Sequence, residues 1–349
     1  MNRFNALTAY FRLRFGARVQ KIPLDAGASC PNRDGVLSRG GCIFCNPQGS
    51  GSGLGQVGMP LAAQWAHWQD RYGLSRNART FIAYLQSFSN TYGPASRLRS
   101  ILEQLQVLPG IAGIAVGTRP DCVDAEKLDM LAAVPLPELW LELGVQSGDD
   151  ATLARINRGH TARCSEDAIR MAAERGLRVC AHVMAGLPGE DAQAFLSTVA
   201  WLNGLPIHAI KFHALYVCKG TPLAAQFARG AYQPMTEDAY IEMMLQALPR
   251  LRSHIVVQRL AGDPAADELV APAWAVSGQQ ISRRITDALE DQALWQGCEN
   301  DARAGLPLWY TPLASLPWKH KAAWLAQCEA LQTEHPFFAA ADWSVAAVE

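Results

Sequence analysis

The sequence predicts an α/β fold in which parallel strands are joined by crossover helices. Two observations carry this. From about residue 19 to 260, short apolar runs alternate with amphipathic segments, and helix-start and helix-stop residues fall between them. The chain has 349 residues, of which 49% are hydrophobic and 18% charged, enough for one large domain with a smaller appendage.

The apolar runs taken as strands are Val19–Asp25, Thr80–Gln86, Gly113–Gly117, Leu139–Val145, Arg178–Ala185 and Ala209–Val217. The amphipathic segments between them are Pro60–Arg71, Pro94–Gln106, Asp124–Ala132, Asp150–Arg155, Ser165–Arg175 and Ala192–Asn203. Ser165 is suited to cap a helix start and Gly176 to close an end. Six such units are too few for a closed eight-stranded barrel. Periodicity alone therefore leaves two arrangements open: a partial (β/α)6 barrel and an open doubly wound sheet. After about residue 260 the pattern changes to Pro264, Pro272, a helical Ile281–Leu294 and a Trp- and Pro-rich tail, LPLWYTPLASLPWKHKAAW. This predicts a core over residues 1–260 and a helix-and-loop appendage over 261–349.

The formal net charge is -1, so a global basic field for nucleic acid is absent. The first residues, MNRFNALTAYFRLRFGARVQ, alternate apolar and basic side chains and lack the unbroken apolar stretch of a secretory signal. No stretch approaches about 18 apolar residues, so no membrane span is expected. The nine cysteines are an odd number in a long chain, unlike a secreted disulfide scaffold. A reducing cytoplasm is the expected location, with clustered thiols available for metal.

Three of those thiols stand close together in KIPLDAGASCPNRDGVLSRGGCIFCNPQGSGSG, spaced C-x11-C-x2-C directly after the first strand. The C-x2-C pair brings Cys42 and Cys45 to one centre. Asn32, Asp34 and Gly35 are turn formers that let Cys30 fold back, and Gly40-Gly41 permits an unusual backbone before Cys42. The glycines from Gly49 to Gly58 suit a close backbone approach to a cofactor. A structural zinc ion wants four ligands, and the nearest downstream histidine, His67, lies inside a predicted helix. A 4Fe-4S cube on three thiolates leaves one iron open, and the amino and carboxylate groups of S-adenosylmethionine (SAM) can fill it. Spacing alone does not separate a metal site from three inconsequential cysteines. A zinc-stabilised, non-catalytic binding module is the alternative from another class.

Further segments fall at or just after strand ends: LQSFSNTYGP, VGTRPDC, LELGVQS, INRGHT, MAGLPGE and KFHALYVCKGTPL. With the cysteine segment, they resemble the YhcC-like radical SAM proteins over about residues 4–260. These are distant relatives of the elongator catalytic subunit and of oxygen-independent coproporphyrinogen oxidase. The resemblance implies an α/β partial (β/α)6 TIM-like barrel of the radical SAM type, with cofactors at the C-terminal ends of the strands. It implies a 4Fe-4S cluster on Cys30, Cys42 and Cys45, and SAM as the second cofactor. SAM contacts are implied at Gln86, Ser87 and Asn90 (amino group), at Thr118, Arg119 and Asp121, and at Glu142, Gln146 and Ser147. Arg155 and Arg158 are placed to meet the SAM carboxylate, and the loop from Met184 through Leu187, Pro188 and Gly189 to cradle adenine. A reducing donor such as flavodoxin or ferredoxin goes with this chemistry. Because elongator-like relatives act on tRNA, tRNA is one candidate substrate, and Arg155, Arg158, His160, Arg163, Arg170 and Arg175 form a candidate basic face for it. A small metabolite is the competing substrate class.

Several of these residues have plainer readings. Glu142 alternates with apolar neighbours and needs a partner if buried, such as Arg119 or Arg155. His182 and His213 suit the barrel interior or a hydrogen-bonded core. Lys211 and Lys219 can hold a substrate anion or sit in solvent. Cys122, Cys164, Cys180 and Cys218 read as small hydrophobes, with a hydrogen-donating thiol conceivable at Cys122 or Cys218.

Overall fold

The computed structural model describes residues 2–46, 49, 54, 58–76, 78–263, 267–274 and 276–300. Most of the Gly49–Gly58 stretch and the tail LPLWYTPLASLPWKHKAAW lie outside the described residues. In chain order the elements are α1 (Leu7–Phe15), β1 (Val19–Leu24), α2 (Leu61–Arg76), β2 (Thr80–Leu85), α3 (Ala95–Leu105), β3 (Ile111–Thr118), α4 (Ala125–Ala132), β4 (Glu138–Gln146), α5 (Asp150–Arg155), α6 (Ala162–Ala173), β5 (Arg178–Ala185), α7 (Ala192–Asn203), β6 (Ala209–Ala214), β7 (Val217–Cys218), α8 (Pro222–Ala228), α9 (Glu237–Arg250), β8 (Val256–Arg259), β9 (Leu269–Ala271) and α10 (Gly278–Asp291).

Seven strands form one parallel sheet in the order β1-β2-β3-β4-β5-β6-β8. A doubly wound sheet reverses direction partway through its strand order. Here each unit adds beside the last, so the sheet curls in one sense into a half-barrel, as the resemblance implied. The curl is deep enough for Lys21 on β1 to donate to Gln258 Oε1 on β8 at 2.9 Å. Below that contact the chain's own start fills the gap: Ala6 bridges to Val257, whose N–H donates to the Asn5 carbonyl at 2.7 Å.

Sequence reading expects six strands, and the barrel has a seventh, β8. It also expects one strand over Ala209–Val217, which the structure divides into β6 and the short β7, paired with β9 outside the barrel. Helix α6 starts earlier than expected: Thr161, not Ser165, caps it, and Ser165 is buried within the helix. Gly176 does close that end, with φ of 71°.

One face of each strand packs against the outer helices through residues such as Ile114, Val116, Leu141, Leu143, Val179 and Phe212. Each such side chain, fully buried, contributes roughly 1.5–3 kcal/mol. Helix α10 joins the same core through Ile281, Ile285 and Leu289. The other face lines the lumen. At its N-terminal end, Tyr10, Phe11 and Phe15 of α1 pack with Val19, Ile82, Trp140 and Val256 and close the barrel. No described helix is long and apolar enough to cross a membrane.

Candidate functional site

The opposite, C-terminal end holds a cavity of about 260 Å³. Cys30, Cys42 and Cys45 line it, with Gln86, Thr118, Arg119, Glu142, Gln146 and Arg158 among the expected residues. The loop after β1 is folded by its own polar groups. The Arg33 N–H donates to the Cys30 carbonyl at 2.9 Å, and the Gly41 N–H to the Asn32 carbonyl at 2.7 Å. Gly41 has φ of 71°, a conformation that glycine adopts without strain. Asn157 clamps the loop from outside, donating to the Gly41 carbonyl at 2.7 Å.

The groups aimed at the sulfurs are amide and guanidinium donors. Asn32 Nδ2 lies 3.7 Å from Cys42 Sγ, Arg33 Nη1 3.7 Å from Cys45 Sγ, and Arg158 Nη1 3.4 Å from Cys42 Sγ. Arg158 also donates to the Gly144 carbonyl at 2.5 Å and, through Nε, to His160 Nε2 at 3.0 Å. A Cβ at position 144 would stand 2.5 Å from Arg158 Nη2, so glycine there gives the guanidinium room to cross β4. Burial first, and Cys42 second, push the Cys45 thiol up to about 11, with Arg33 pulling the other way. A thiol so placed keeps its proton until a metal displaces it. Among the described residues, one His/Cys/Asp/Glu group has all its ligand atoms within 4.8 Å of one another, and it is Glu142, Cys180 and His182. The loop cysteines are thus spread wider than one small ion draws its ligands.

That lumen group is not a cation site. Glu142, fully buried, receives hydrogen bonds from Lys21 and Lys211 and one from His182 Nε2 at 2.9 Å. Burial works to raise its pKa, but Lys21, Lys211 and His182 hold the carboxyl well below the usual range. Its partners are therefore two lysines and a histidine, not the Arg119 or Arg155 of the plainer sequence reading. Arg119 instead grips Asp121 with two bonds of 2.8 and 2.7 Å, leaving Nη1 without a partner among the described residues.

Not all expected residues reach this cavity. Ser87, Asn90, Asp121, Ser147 and Arg155 do not line it. Asn90 Nδ2 ties the ends of β2 and β3 together, donating to the Leu85 and Gly117 carbonyls at 3.1 and 2.9 Å. Ser147 bonds Glu190, and Arg155 donates to the Pro188 carbonyl at 2.9 Å. Leu187, Pro188 and Gly189 line a second cavity of about 330 Å³ with Tyr232 and Met235, while Met184 lines the first. Lys211 and His213 line the first cavity; Lys219 is turned outward, donating to the Asp267 carbonyl at 2.6 Å.

Sequence reasoning misses Lys21, Arg33, Tyr84, Phe88 and Arg259. The period-two pattern offers a signal for Tyr84, which shares a strand face with Gln86. Phe88 and Gln146 line the cavity with φ of 58° and 73°, rare for residues with side chains and concentrated at functional sites.

Residues 35–202 match the Radical SAM superfamily and residues 207–291 the Radical_SAM C-terminal domain. The chain is 33% identical over 296 residues to YtqA of Bacillus subtilis strain 168, covering 84% of this chain and 92% of that protein. The chain belongs to the radical SAM superfamily. Within it, protein YhcC of Escherichia coli strain K12 is 36% identical over 263 residues, 75% of this chain and 84% of YhcC. A more partial relative is the tRNA uridine(34) acetyltransferase of Methanocaldococcus jannaschii, 27% identical over 45% of this chain and 29% of that protein. Among solved structures, Elp3 of Methanocaldococcus infernus superposes with a TM-score of 0.60 at 16% identity, covering 82% of this chain and 68% of Elp3, a likeness of fold.

Proposed function

We propose that this radical SAM protein is an enzyme holding a 4Fe-4S cluster on Cys30, Cys42 and Cys45, with SAM beside it. The observation that carries the reading is the cysteine trio at one end of the lumen. The Cys42 and Cys45 sulfurs face Asn32, Arg33 and Arg158, and among the described residues no fourth Cys, His or carboxylate is hydrogen-bonded to them. That donor set fits a cluster with one unligated iron: three thiolates supply the charge, and fixed N–H donors stabilise the sulfurs. When bound, the cluster supplies the electron that splits SAM into methionine and a 5'-deoxyadenosyl radical, with flavodoxin or ferredoxin as the donor class.

The chain's own residues do the positioning. Gln86, Thr118, Arg119 and Gln146 border the cavity beside the cysteines and offer hydrogen bonds to the polar groups of SAM. Asn90 holds the β2 and β3 ends in register beneath them. Glu142 keeps Lys21, Lys211 and His182 fixed in the lumen. The α1 plug excludes water from the closed end. For the substrate, tRNA is supported by the partial similarity to the tRNA acetyltransferase. The arginine face expected for it is largely self-paired, however. Arg163 pairs with Asp167, Arg170 with Glu166 and Arg175 with Asp129, while Arg158 and His160 are buried. Salt-sensitive binding of tRNA to the full chain is the check on that substrate.

Anaerobic reconstitution should give a brown protein with about four irons per chain that releases 5'-deoxyadenosine under reductant. Cys42→Ser should lose both. Colourless protein carrying tight zinc would favour the binding-module alternative instead.

A further inference from the structure

The cavity has two charge environments. On the cysteine side, Arg33 and Arg158 face sulfur, and Arg119 is matched by Asp121. On the far side, β5, β6 and β8 set His182, Lys211 and Arg259 in register across adjacent strands, with His213 one step further along β6. All four line the cavity.

The charges on this far wall do not balance. Glu142 is its carboxylate, and Lys21 and Lys211 already share it. Arg259 makes no ion pair among the described residues. Its Nη2 meets His213 Nδ1 at 2.8 Å, and its Nε is buried without a partner. A guanidinium can only donate, so His213 Nδ1 is the acceptor and the ring proton sits on Nε2. His182 is likewise a donor, through Nε2, to the Glu142 carboxylate. His213 is therefore neutral, and burial, with Lys211 beside it, pushes His182 down to about 4. Among the described residues that line the cavity, Glu142 is the one carboxylate, and Lys21, Lys211 and Arg259 surround it. Excess positive charge in a half-closed lumen is costly unless an anion enters. A guanidinium beside an ammonium is suited to oxyanions, through charge-assisted bonds.

We propose that this wall binds the oxyanion, carboxylate or phosphate, of the substrate on which the radical acts. The inference rests on the functional reading above and adds the chemical class of the second reactant. In that reading the amino and carboxylate groups of SAM are taken up on the cysteine side, which leaves Arg259, Lys211 and His213 for the substrate.

The test uses the full-length, metal-free protein, so it does not depend on cluster loading. Equilibrium dialysis with labelled inorganic phosphate, and separately with labelled malonate, should show saturable uptake. Affinity should fall about tenfold in Arg259→Gln, the loss of one charge-assisted contact, with a similar loss in Lys211→Met and a smaller one in Arg259→Lys. Arg283→Gln, on the exposed face of α10, controls for surface charge and should bind as the wild type does. Tighter phosphate marks a phosphorylated reactant, and tighter malonate a carboxylate one. Absence of saturable uptake of either anion, or equal affinity in Arg259→Gln and wild type, overturns the proposal. Iron content and 5'-deoxyadenosine release, measured on reconstituted wild type, judge the functional reading separately.

Discussion

Glu138 and Glu142 lie on the same face of β4, two pleats apart, and both are fully buried. Their surroundings differ in kind. Glu138 accepts from the Tyr10 hydroxyl at 2.7 Å and Trp140 Nε1 at 2.8 Å, and pairs with Arg14 and Arg178, each at 3.4 Å. These partners are stiff, aromatic or planar, and they belong to the α1 plug and the strand bottoms. Glu142 is held by two flexible ammonium groups and an imidazole, beside a cavity. One carboxylate locks the closed end of the barrel. The other organises donors that have spare protons to offer a ligand. Lysine keeps three donor protons on a mobile stem, so a wall built from it can reorganise when an anion arrives.

The comparison can be broken most sharply at the closed end. Glu138→Ala strands Arg14, Arg178 and the Tyr10 hydroxyl in the interior and should cost about 3–5 kcal/mol in urea unfolding. A loss near zero would mean the plug does not depend on its carboxylate. Glu142→Gln should cost less, about 1–3 kcal/mol, because Lys211 borders the cavity and can reach water. Adding Lys211→Met should recover part of that loss, since cation and partner then vanish together. Equal costs for the two glutamate variants would erase the distinction.

The acid response is a separate test, spread over several groups. Burial first pushes His182 and His208 down to about 4 and His160 to about 3, against an ordinary 6.5. The unfolded chain therefore binds more protons in that interval. Stability is whole above pH 6.5 and declines toward pH 4, by up to about 1.4 kcal/mol per unit for each histidine. Denaturation midpoints at neutral and mildly acid pH measure it, and His182→Asn should make the decline shallower. A flat profile would show that these rings are charged in the folded protein.

Much of the barrel was legible because its strands are buried on both faces and read as plain apolar runs. Strand β8 was not, because Val256 and Val257 are followed by Gln258 and Arg259, whose polarity serves the lumen. Helix α1 reads as an alternation of apolar and basic residues, and the arginine that belongs inside, Arg14, is explained only by Glu138, far along the chain. The same long-range pairing dissolves the basic face: Arg175 finds Asp129 on another helix. At the site, the cysteine loop and the strand-end residues stand out as local motifs. Lys21, Tyr84 and Arg259 come from three strands and meet only once the sheet curls, so no local pattern announces them. Conversely, Leu187, Pro188 and Gly189 look like part of one site in the sequence and face a separate cavity in space.

The bare backbone at Gly144 has a consequence for the chemistry of Cys42. Even a methyl group there would push the Arg158 guanidinium out of its path across the strand, away from the sulfur. In the proposed cluster-bearing form, how much electron density that thiolate would lend to iron would thus be governed by an omission, a missing carbon on β4. A methyl group added there, on a residue that is not itself a proposed ligand, would retune the reduction potential of a bound cluster while leaving the proposed ligand set untouched.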